Sequence, residues 1–153
     1  MQDHILLTPD PLDPAAAIAF VTDPRAGAID AFLGTTRADR NAAGHELLAL
    51  DYDAYPEMAT QQMADIARRA RQRWPALKVA ILHRTGRVAV GEPSVAIAVS
   101  TPHRADSFAA CQFVIDTLKA EVTIWKKEVW AGAAATWVHP GAEENDQAPM
   151  PNK

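Results

Sequence analysis

Two proline-bounded segments with helical spacing of apolar residues most constrain how this chain can fold. The first runs from Pro56 to Pro75, and the second runs from about Pro102 to Ala120. The apolar stripe of the first is Ala59, Met63, Ile66, Ala70 and Trp74. The stripe of the second is Phe108, Cys111, Ile115 and Leu118. Apolar residues three or four positions apart predict amphipathic helices that bury one face, and proline suits a helix start and ends a helix.

Short extended patterns stand before and between these two helices. The predicted strands are Gly27 to Leu33, Leu47 to Tyr55, Leu77 to Arg84, Val88 to Val90, and Ser94 to Ser100. Alternation places Ile29, Ala31 and Leu33 on one face of the first strand, and Leu48, Leu50 and Tyr52 on one face of the second. Glycine turns between the last three strands favour an antiparallel meander. The order of elements predicts an α+β fold with mainly antiparallel pairing.

The remaining segments predict one domain with a tail. Asp13 and Pro14 open a short helix that continues to Val21. Residues 34–44 form a polar, glycine-bounded loop, and residues 122–125 and 136–138 are short extended segments. The last residues, 141–153, are acidic and contain proline, which predicts a disordered tail after a single domain of residues 1–140.

Composition narrows the class of protein. A net charge of −4 argues against general nucleic-acid binding, and no apolar run approaches the length of a membrane helix. The single cysteine, Cys111, can form no internal disulfide, and the N-terminus has no secretory pattern, so the chain is expected in the cytoplasm. Its basic residues are grouped, which favours a small anionic ligand over a polymer.

The segment Ser100-Thr101-Pro102-His103-Arg104 lies where a strand gives way to a helix. Thr101 could cap this helix, and backbone N–H groups in its first turn, together with His103 and Arg104, suit an anion. Alternatively, both side chains are ordinary surface groups. Arg104 and Lys119 are 15 residues apart on one helix, which is roughly 22 Å. One small ligand can hardly contact both, so we hypothesise a homodimer in which one subunit supplies Arg104 to the other's Lys119.

Other polar residues carry weaker signals. Lys119 near a helix end is electrostatically ordinary, and Lys126-Lys127 is either a solvated edge or a pocket wall. A desolvated Lys126 would have a lowered pKa and could act as a base or nucleophile. His83 shares a strand face with apolar residues and is interpreted as structural. Cys111 lies on the apolar stripe, so it is interpreted as an inert core thiol.

Taken together, several segments resemble the large, catalytic subunit of molybdopterin synthase, the MoaE family. These segments are GAIDAFLGTTR (27–37), LDYDAYPEMA (50–59), HRTGRVAVGEPSV (83–95), STPHRADSFAACQFVIDTLK (100–119) and VTIWKKE (122–128). They occur in the family's order over about 100 residues, counted from Gly27 to Glu128.

The resemblance implies an α/β-hammerhead type fold and a homodimer within a heterotetramer. Two small ubiquitin-like subunits would flank the homodimer, and the Gly-Gly end of each would carry a thiocarboxylate into the pocket. The implied substrate is cyclic pyranopterin monophosphate (precursor Z), which receives two sulfurs to form the dithiolene of molybdopterin. The implied activity is that of a sulfurtransferase that needs no cofactor and no metal.

The resemblance also implies site residues. The family's catalytic lysines match Lys119 and Lys126. Its substrate contacts and flanking positions match Thr35, Thr36, Arg37, His103, Arg104, Lys127 and Glu128. The chain departs from many relatives at Thr123, where they have proline and a more rigid turn. It also departs at His139-Pro140-Gly141, where some relatives place an arginine, so an anion contact from the tail is not expected.

Two alternatives stand beside this function. One is a homodimeric scaffold that binds the small subunit without transferring sulfur, although the chain retains both Lys119 and Lys126. The other is a phosphate or nucleotide sensor, although the chain lacks a glycine-rich phosphate loop. Binding of a peptide that ends in Gly-Gly distinguishes the family function from a phosphate sensor.

Overall fold

A computed structural model describes residues 3–132 and 135–138 of the chain. In chain order its elements are β1 (Asp3–Thr8), α1 (Pro14–Val21), β2 (Ala28–Thr35), β3 (Leu47–Ala54), α2 (Pro56–Arg73), β4 (Lys78–Arg84), β5 (Gly86–Ala89), β6 (Pro93–Thr101), α3 (Arg104–Glu121), β7 (Ile124–Trp130) and β8 (Thr136–Val138). The α+β class with mainly antiparallel strands, two main helices and a short N-terminal helix is confirmed. The predicted tail, 141–153, lies outside the described residues.

Two four-stranded sheets carry the strands. The first has the order β1-β4-β6-β2, in which only the β1–β4 pair is parallel, and the second has the order β5-β3-β7-β8 and is antiparallel. The predicted meander was wrong, because β5 leaves its sequence neighbours and pairs with β3 in the second sheet. Gly86 has a φ of 78°, which glycine adopts readily, and this allows the turn by which the chain passes from β4 in the first sheet to β5 in the second. The sequence also gave no prediction for β1.

The first sheet is covered on both faces, which explains the uninterrupted burial of β6. Helices α2 and α3 pack on the face of Val79, Ile81, Val95, Ile97 and Val99. The short α1 packs on the other face, against Ala80, Leu82, Ala96 and Ala98. Asp13 caps α1, since its carboxylate accepts the Ala16 backbone N–H at 3.2 Å.

The edge strand β2 leaves apolar side chains uncovered. Ile29, Ala31 and Leu33 share a face as the alternation predicts, yet Ile29 is 40% and Leu33 is 45% exposed. Phe108, predicted on the buried stripe of α3, is 60% exposed, while Cys111, Ile115 and Leu118 are buried. The small Ser107 takes the buried position in the first turns of α3.

A register shift in β3 changes which residues face inward. The β3–β7 register moves between Leu47 and Ala49, so Leu48 is the extra residue and is half exposed. The prediction that Leu48 shares a face with Leu50 and Tyr52 was therefore wrong. Leu47 joins Leu50 and Tyr52 instead, and these three side chains line the cleft between the two sheets.

Candidate functional site

A cleft of about 520 Å³ lies where the ends of the first sheet and of α3 meet the second sheet. Its size is within the range of small-molecule sites. One wall is apolar and includes Phe32, Leu47, Leu50, Val95, Ile115, Leu118, Val122 and Ile124. Three lining side chains are cationic, Arg37, Lys119 and Lys126, and two are acidic, Asp39 and Glu128. A cleft that joins an apolar wall to grouped cations suits an anionic ligand with a flat or extended apolar part.

The two candidate catalytic lysines reach this cleft from different elements. Lys119 lies in the last turn of α3, and Lys126 lies in β7. A two-residue turn, 122–123, separates the two elements. Lys126 is directly opposite Tyr52 across the β3–β7 ladder, and Tyr52 also lines the cleft. The turn therefore brings onto one surface two ammonium groups that the sequence places seven residues apart.

Alternation along β7 separates the neighbouring lysines. Ile124, Lys126 and Glu128 line the cleft, while Lys127 lies on the opposite face, with its Nζ 5.1 Å from the centre of the Trp137 ring. Glu128 is fully buried in the cleft wall. Lys127, predicted as a substrate contact, therefore does not line this cleft within one protomer.

The last residue of β2, Thr35, lines the cleft, and the segment after β2 adds Arg37. Thr36 between them is buried, and its backbone is held by Glu92 O at 3.0 Å and by the Gly91 N–H at 2.8 Å. These two hydrogen bonds hold Thr36 in place, so the loop begins later than the predicted residue 34. At the other end of the loop, Arg40 and Glu46 form an ion pair at 2.5 Å.

His103 and Arg104 lie at the other end of α3 from Lys119 and do not line this cleft. Both are exposed, and the helix begins at Arg104, two residues later than predicted. Thr101 does not cap it, because its hydroxyl donates to His103 O at 2.6 Å. Within one protomer, the structure gathers Arg37, Lys119 and Lys126 but separates them from this pair.

His83 and Tyr52 line the cleft, although the sequence singled out neither for a role there. His83 is 5% exposed, and its ring meets the Tyr52 ring edge-on at a centroid distance of 5.2 Å. Burial lowers the pKa of His83 to about 4, and the charge of Lys119 acts in the same direction. A polar residue near the end of an otherwise apolar buried strand was the signal that could have identified it.

Cys111 lies outside the cleft, in the core of α3. Burial, with an added contribution from Asp30, raises the pKa of its thiol to about 12. The thiol is therefore protonated near neutral pH, and its interpretation as a core residue is confirmed. Among the described residues, no group of three or more His, Cys, Asp or Glu side chains is arranged to hold a metal ion. No helix in the described ranges is long and apolar enough to cross a bilayer.

Known proteins resemble this chain in sequence and in structure. The sequence model of the family described as MoaE protein matches residues 7–121. The molybdopterin synthase catalytic subunit of Taeniopygia guttata is 45% identical over 130 residues, which are 84% of this chain and 83% of that protein. The one from Halalkalibacterium halodurans is 48% identical over 110 residues, or 72% and 69% of the two chains.

Among solved structures, molybdopterin synthase from Staphylococcus aureus superposes with a TM-score of 0.82 at 30% identity. The match covers 88% of this chain and 96% of that one.

Proposed function

The chain belongs to the MoaE protein family, and on that premise we propose that it is the catalytic subunit of molybdopterin synthase, a sulfurtransferase of molybdenum cofactor biosynthesis. Its substrate would be cyclic pyranopterin monophosphate. Its sulfur donor would be the C-terminal thiocarboxylate of a small ubiquitin-like subunit that ends in Gly-Gly. The observation that carries the proposal is the convergence of Lys119 and Lys126, from α3 and β7, on one cleft.

The charges of the cleft suit both reactants. A phosphate and a thiocarboxylate are anions, and Arg37, Lys119 and Lys126 supply fixed positive charge beside an apolar wall. The wall suits the apolar face of a pterin ring, and the polar lining residues are available to the backbone N–H and C=O groups of an extended glycine tail. A glycine tail also has no side chains that would have to fit into the cleft.

The roles of the two lysines follow from the chemistry of the transfer. In each step the thiocarboxylate sulfur would form a bond to a side-chain carbon of the pterin, and an oxygen substituent of that carbon would leave, as the phosphate ester oxygen when the cyclic phosphate opens or as water. Water would then break the acyl carbon–sulfur bond of the resulting thioester, which leaves the sulfur on the pterin and the donor tail as a carboxylate. Negative charge develops on the acyl oxygen when water attacks the acyl carbon. Ammonium groups beside this oxygen stabilise the charge and lower the activation barrier of the step. Lys119 would lie nearest the thiocarboxylate and assist proton transfer, and Lys126 would be the second acid/base or charge-stabilising group.

Delivery of the sulfur on a partner is consistent with Cys111, because this thiol is a poor sulfur carrier. Cys111 is buried in the helical core, and the raised pKa of its thiol keeps it protonated. A thiolate, rather than a thiol, is the nucleophilic form of cysteine. A donor that carries its own sulfur into the cleft removes the need for a reactive cysteine in this subunit.

A homodimer would complete the site with residues that one protomer cannot supply. His103 and Arg104 are exposed at the far end of α3, and a second copy would present them to the partner's Lys119. Ile29 and Leu33 are exposed apolar side chains on the edge strand β2, which supports a protein interface at that edge, and Phe108 on α3 is exposed as well. The proposed assembly is two copies of this chain flanked by two small subunits.

Reconstitution tests the function. The purified chain is mixed with a thiocarboxylated small subunit and cyclic pyranopterin monophosphate, and molybdopterin formation is measured. The native chain should form product, and Lys119→Ala should lower the rate about 100-fold, the scale for loss of one charge-stabilising donor. Lys78→Ala is the matched control, because Lys78 contacts Thr22 and Asp23 outside the cleft.

Three outcomes separate the alternatives. No product with a verified partner would support the scaffold, and equal rates for native chain and Lys119→Ala would remove Lys119 from catalysis. A chain that binds phosphate but no Gly-Gly peptide would be a phosphate sensor.

A further inference from the structure

Glu92 lies in the short turn by which the chain passes from β5 in the second sheet to β6 in the first. Its backbone N–H donates to Ala89 O at 3.0 Å, and its backbone oxygen accepts the Thr36 N–H at 3.0 Å. In its carboxylate, Oε1 accepts the Ala89 N–H at 2.9 Å and Oε2 accepts Nη1 of Arg84 at 3.1 Å. One residue therefore joins three separate segments of the chain.

The carboxylate of Glu92 braces the turn of residues 89–92. Both backbone groups of Ala89 bond to Glu92, so the turn is closed from its two ends. Arg84 is the last residue of β4 and its side chain is 13% exposed, so the ion pair ties the turn to the first sheet. The Ala89 N–H, and next the Arg84 guanidinium, lower the pKa of Glu92. The carboxylate is therefore ionised near neutral pH, the form that accepts both bonds.

The braced turn holds the residue that precedes Arg37. The Gly91 N–H donates to Thr36 O at 2.8 Å, and the Thr36 N–H donates to Glu92 O, so both backbone groups of Thr36 are bonded to the turn. Thr36 is 3% exposed, and Arg37, the next residue, lines the cleft. A planar peptide bond fixes the distance between consecutive Cα atoms. The position of Thr36 therefore limits where the Arg37 side chain begins.

The sheet alone does not hold this part of the chain. The β2–β6 register shifts between Gly34 and Thr35, so the regular ladder is interrupted just before Thr36. On the other side of Arg37, the next backbone bond is the one that Asp39 O accepts from the Leu47 N–H at 2.8 Å. Arg37 thus lies between two anchors, of which the 89–92 turn is one.

We infer that Glu92 is a positioning residue for Arg37: its carboxylate braces the 89–92 turn, and the braced turn holds Thr36 and so sets where the Arg37 guanidinium enters the cleft. The inference concerns the backbone from which the side chain starts, so it holds whatever else the guanidinium contacts. Its effect on activity rests on the proposed function, in which Arg37 contacts the substrate anion. The bracing itself does not depend on the reaction, and the two can be tested apart.

Two variants grade the loss of the brace. Glu92→Ala removes both side-chain bonds, whereas Glu92→Gln keeps an acceptor for the Ala89 N–H and loses the charge that pairs with Arg84. Glu57→Ala is the matched control, because Glu57 is exposed in the first turn of α2 and does not line the cleft. If Glu92→Ala does not fold, Glu92→Gln gives the same comparisons.

Amide hydrogen exchange, followed by NMR, tests the brace without turnover. The N–H groups of Thr36 and Gly91 keep their backbone partners in every variant, so faster exchange reports a looser turn. We expect exchange of both to rise about tenfold or more in Glu92→Ala, less in Glu92→Gln, and not at all in Glu57→Ala. The amide of Val99, in the buried strand β6, should keep its native rate, which separates local loosening from global unfolding.

A double-mutant cycle tests whether Glu92 acts through Arg37. In the reconstituted assay, Glu92→Ala should lower kcat/KM about tenfold, and it should cause a similar further loss in a Lys119→Ala background. In an Arg37→Ala background it should cause less than about a twofold further loss, because the side chain that it positions is already gone. A purely structural defect would lower kcat/KM equally in both backgrounds.

The outcomes separate the inference from the proposed function. Native exchange at Thr36 in Glu92→Ala, or equal further losses in the Arg37→Ala and Lys119→Ala backgrounds, would overturn the inference. A native chain that forms no product, while exchange at Thr36 still follows Glu92, would overturn the proposed function and leave the brace standing.

Discussion

Gln62 on α2 bonds Thr123 twice, at the turn that joins α3 to β7. Its carbonyl oxygen accepts the Thr123 backbone N–H at 2.9 Å, and its amide nitrogen donates to the Thr123 hydroxyl at 3.2 Å. The same nitrogen lies 3.4 Å from Glu121 O. Because this turn separates Lys119 from Lys126, a residue of the other helix fixes the geometry between them. A proline at 123 would have no N–H for this bond, so threonine anchors the turn by a different means.

Gln62→Ala should loosen that turn. It leaves the Thr123 N–H without its side-chain partner, which should lower the free energy of unfolding by about 1–2 kcal/mol. Turnover should fall as well, because the two lysines are then less well fixed. Urea unfolding and the reconstituted assay measure both quantities. The neighbouring Gln61→Ala, at an exposed position, is the control, and equal stability of the two variants would contradict this role.

The adjacent lysines of β7 should differ in their effect on activity. Lys126→Ala removes a cation from the cleft and should lower turnover about 100-fold. Lys127→Ala removes a cation that lies over Trp137 on the opposite face, a contact worth under about 1 kcal/mol. Because this contact is outside the cleft, turnover should stay within about threefold of the native value. A large loss in Lys127→Ala would place Lys127 in a site formed with another subunit.

Cys111 should be dispensable for the reaction. Cys111→Ala removes one small buried side chain, so we expect a modest loss of stability, about 1 kcal/mol, and unchanged turnover. The native thiol should also resist iodoacetamide near neutral pH, because its raised pKa and burial suppress the thiolate. Mass spectrometry of the treated protein gives the extent of alkylation. Rapid alkylation with loss of activity would show that the thiol is accessible.

Buried His83 should make the fold sensitive to mild acid. Its pKa is about 4 in the folded chain and 6.5 ordinarily, so the unfolded chain binds more protons between these values. Stability should therefore be complete above about pH 6.5 and decline as the pH falls toward 4, by at most about 3 kcal/mol. Urea unfolding at pH 7.5 and pH 5 measures the loss. His83→Asn should show a smaller loss over this interval, and an identical loss would indicate that other groups cause it.

Mixed dimers should show whether two subunits build one site. Arg104→Ala and Lys119→Ala protomers are each expected to be inactive in a site shared between subunits. A dimer of one of each would contain one intact site and one doubly altered site, so each mixed dimer should have about half of the native activity. Random exchange of an equal mixture makes about half of the dimers mixed, so the sample should recover about a quarter of the native activity. The double variant mixed with native chain is the control for exchange. No recovery in an exchanged sample would show that Arg104 and Lys119 do not act together.

Much of the site follows from local sequence patterns, and its remainder depends on distant pairings. The length of α3 already separates Arg104 from Lys119. The extended segment predicted at 122–125 ended before Lys126, so the placement of Lys126 and Lys127 on opposite faces is seen only in the longer strand β7. The place of Tyr52 depends on the bulge after Leu47, which shifts the face of every residue beyond it. His83 could not be distinguished from a core residue, because its neighbours along the strand are core residues and the cleft beside it is made by other elements.

The sequence by itself determined the two main helices and the burial of Cys111, and its resemblance to the MoaE family implied the candidate lysines. The helices and the burial depend on periodicity and residue chemistry, which act over a few positions along the chain. Only the tertiary structure decided that β5 joins the second sheet, that the first sheet gains β1 as a parallel edge, and that Arg37, Lys119, Lys126 and His83 border one cleft. Strand partners are chosen by burial and hydrogen bonding summed over the whole sheet, and short strands such as β5 carry too little local signal to reveal that choice.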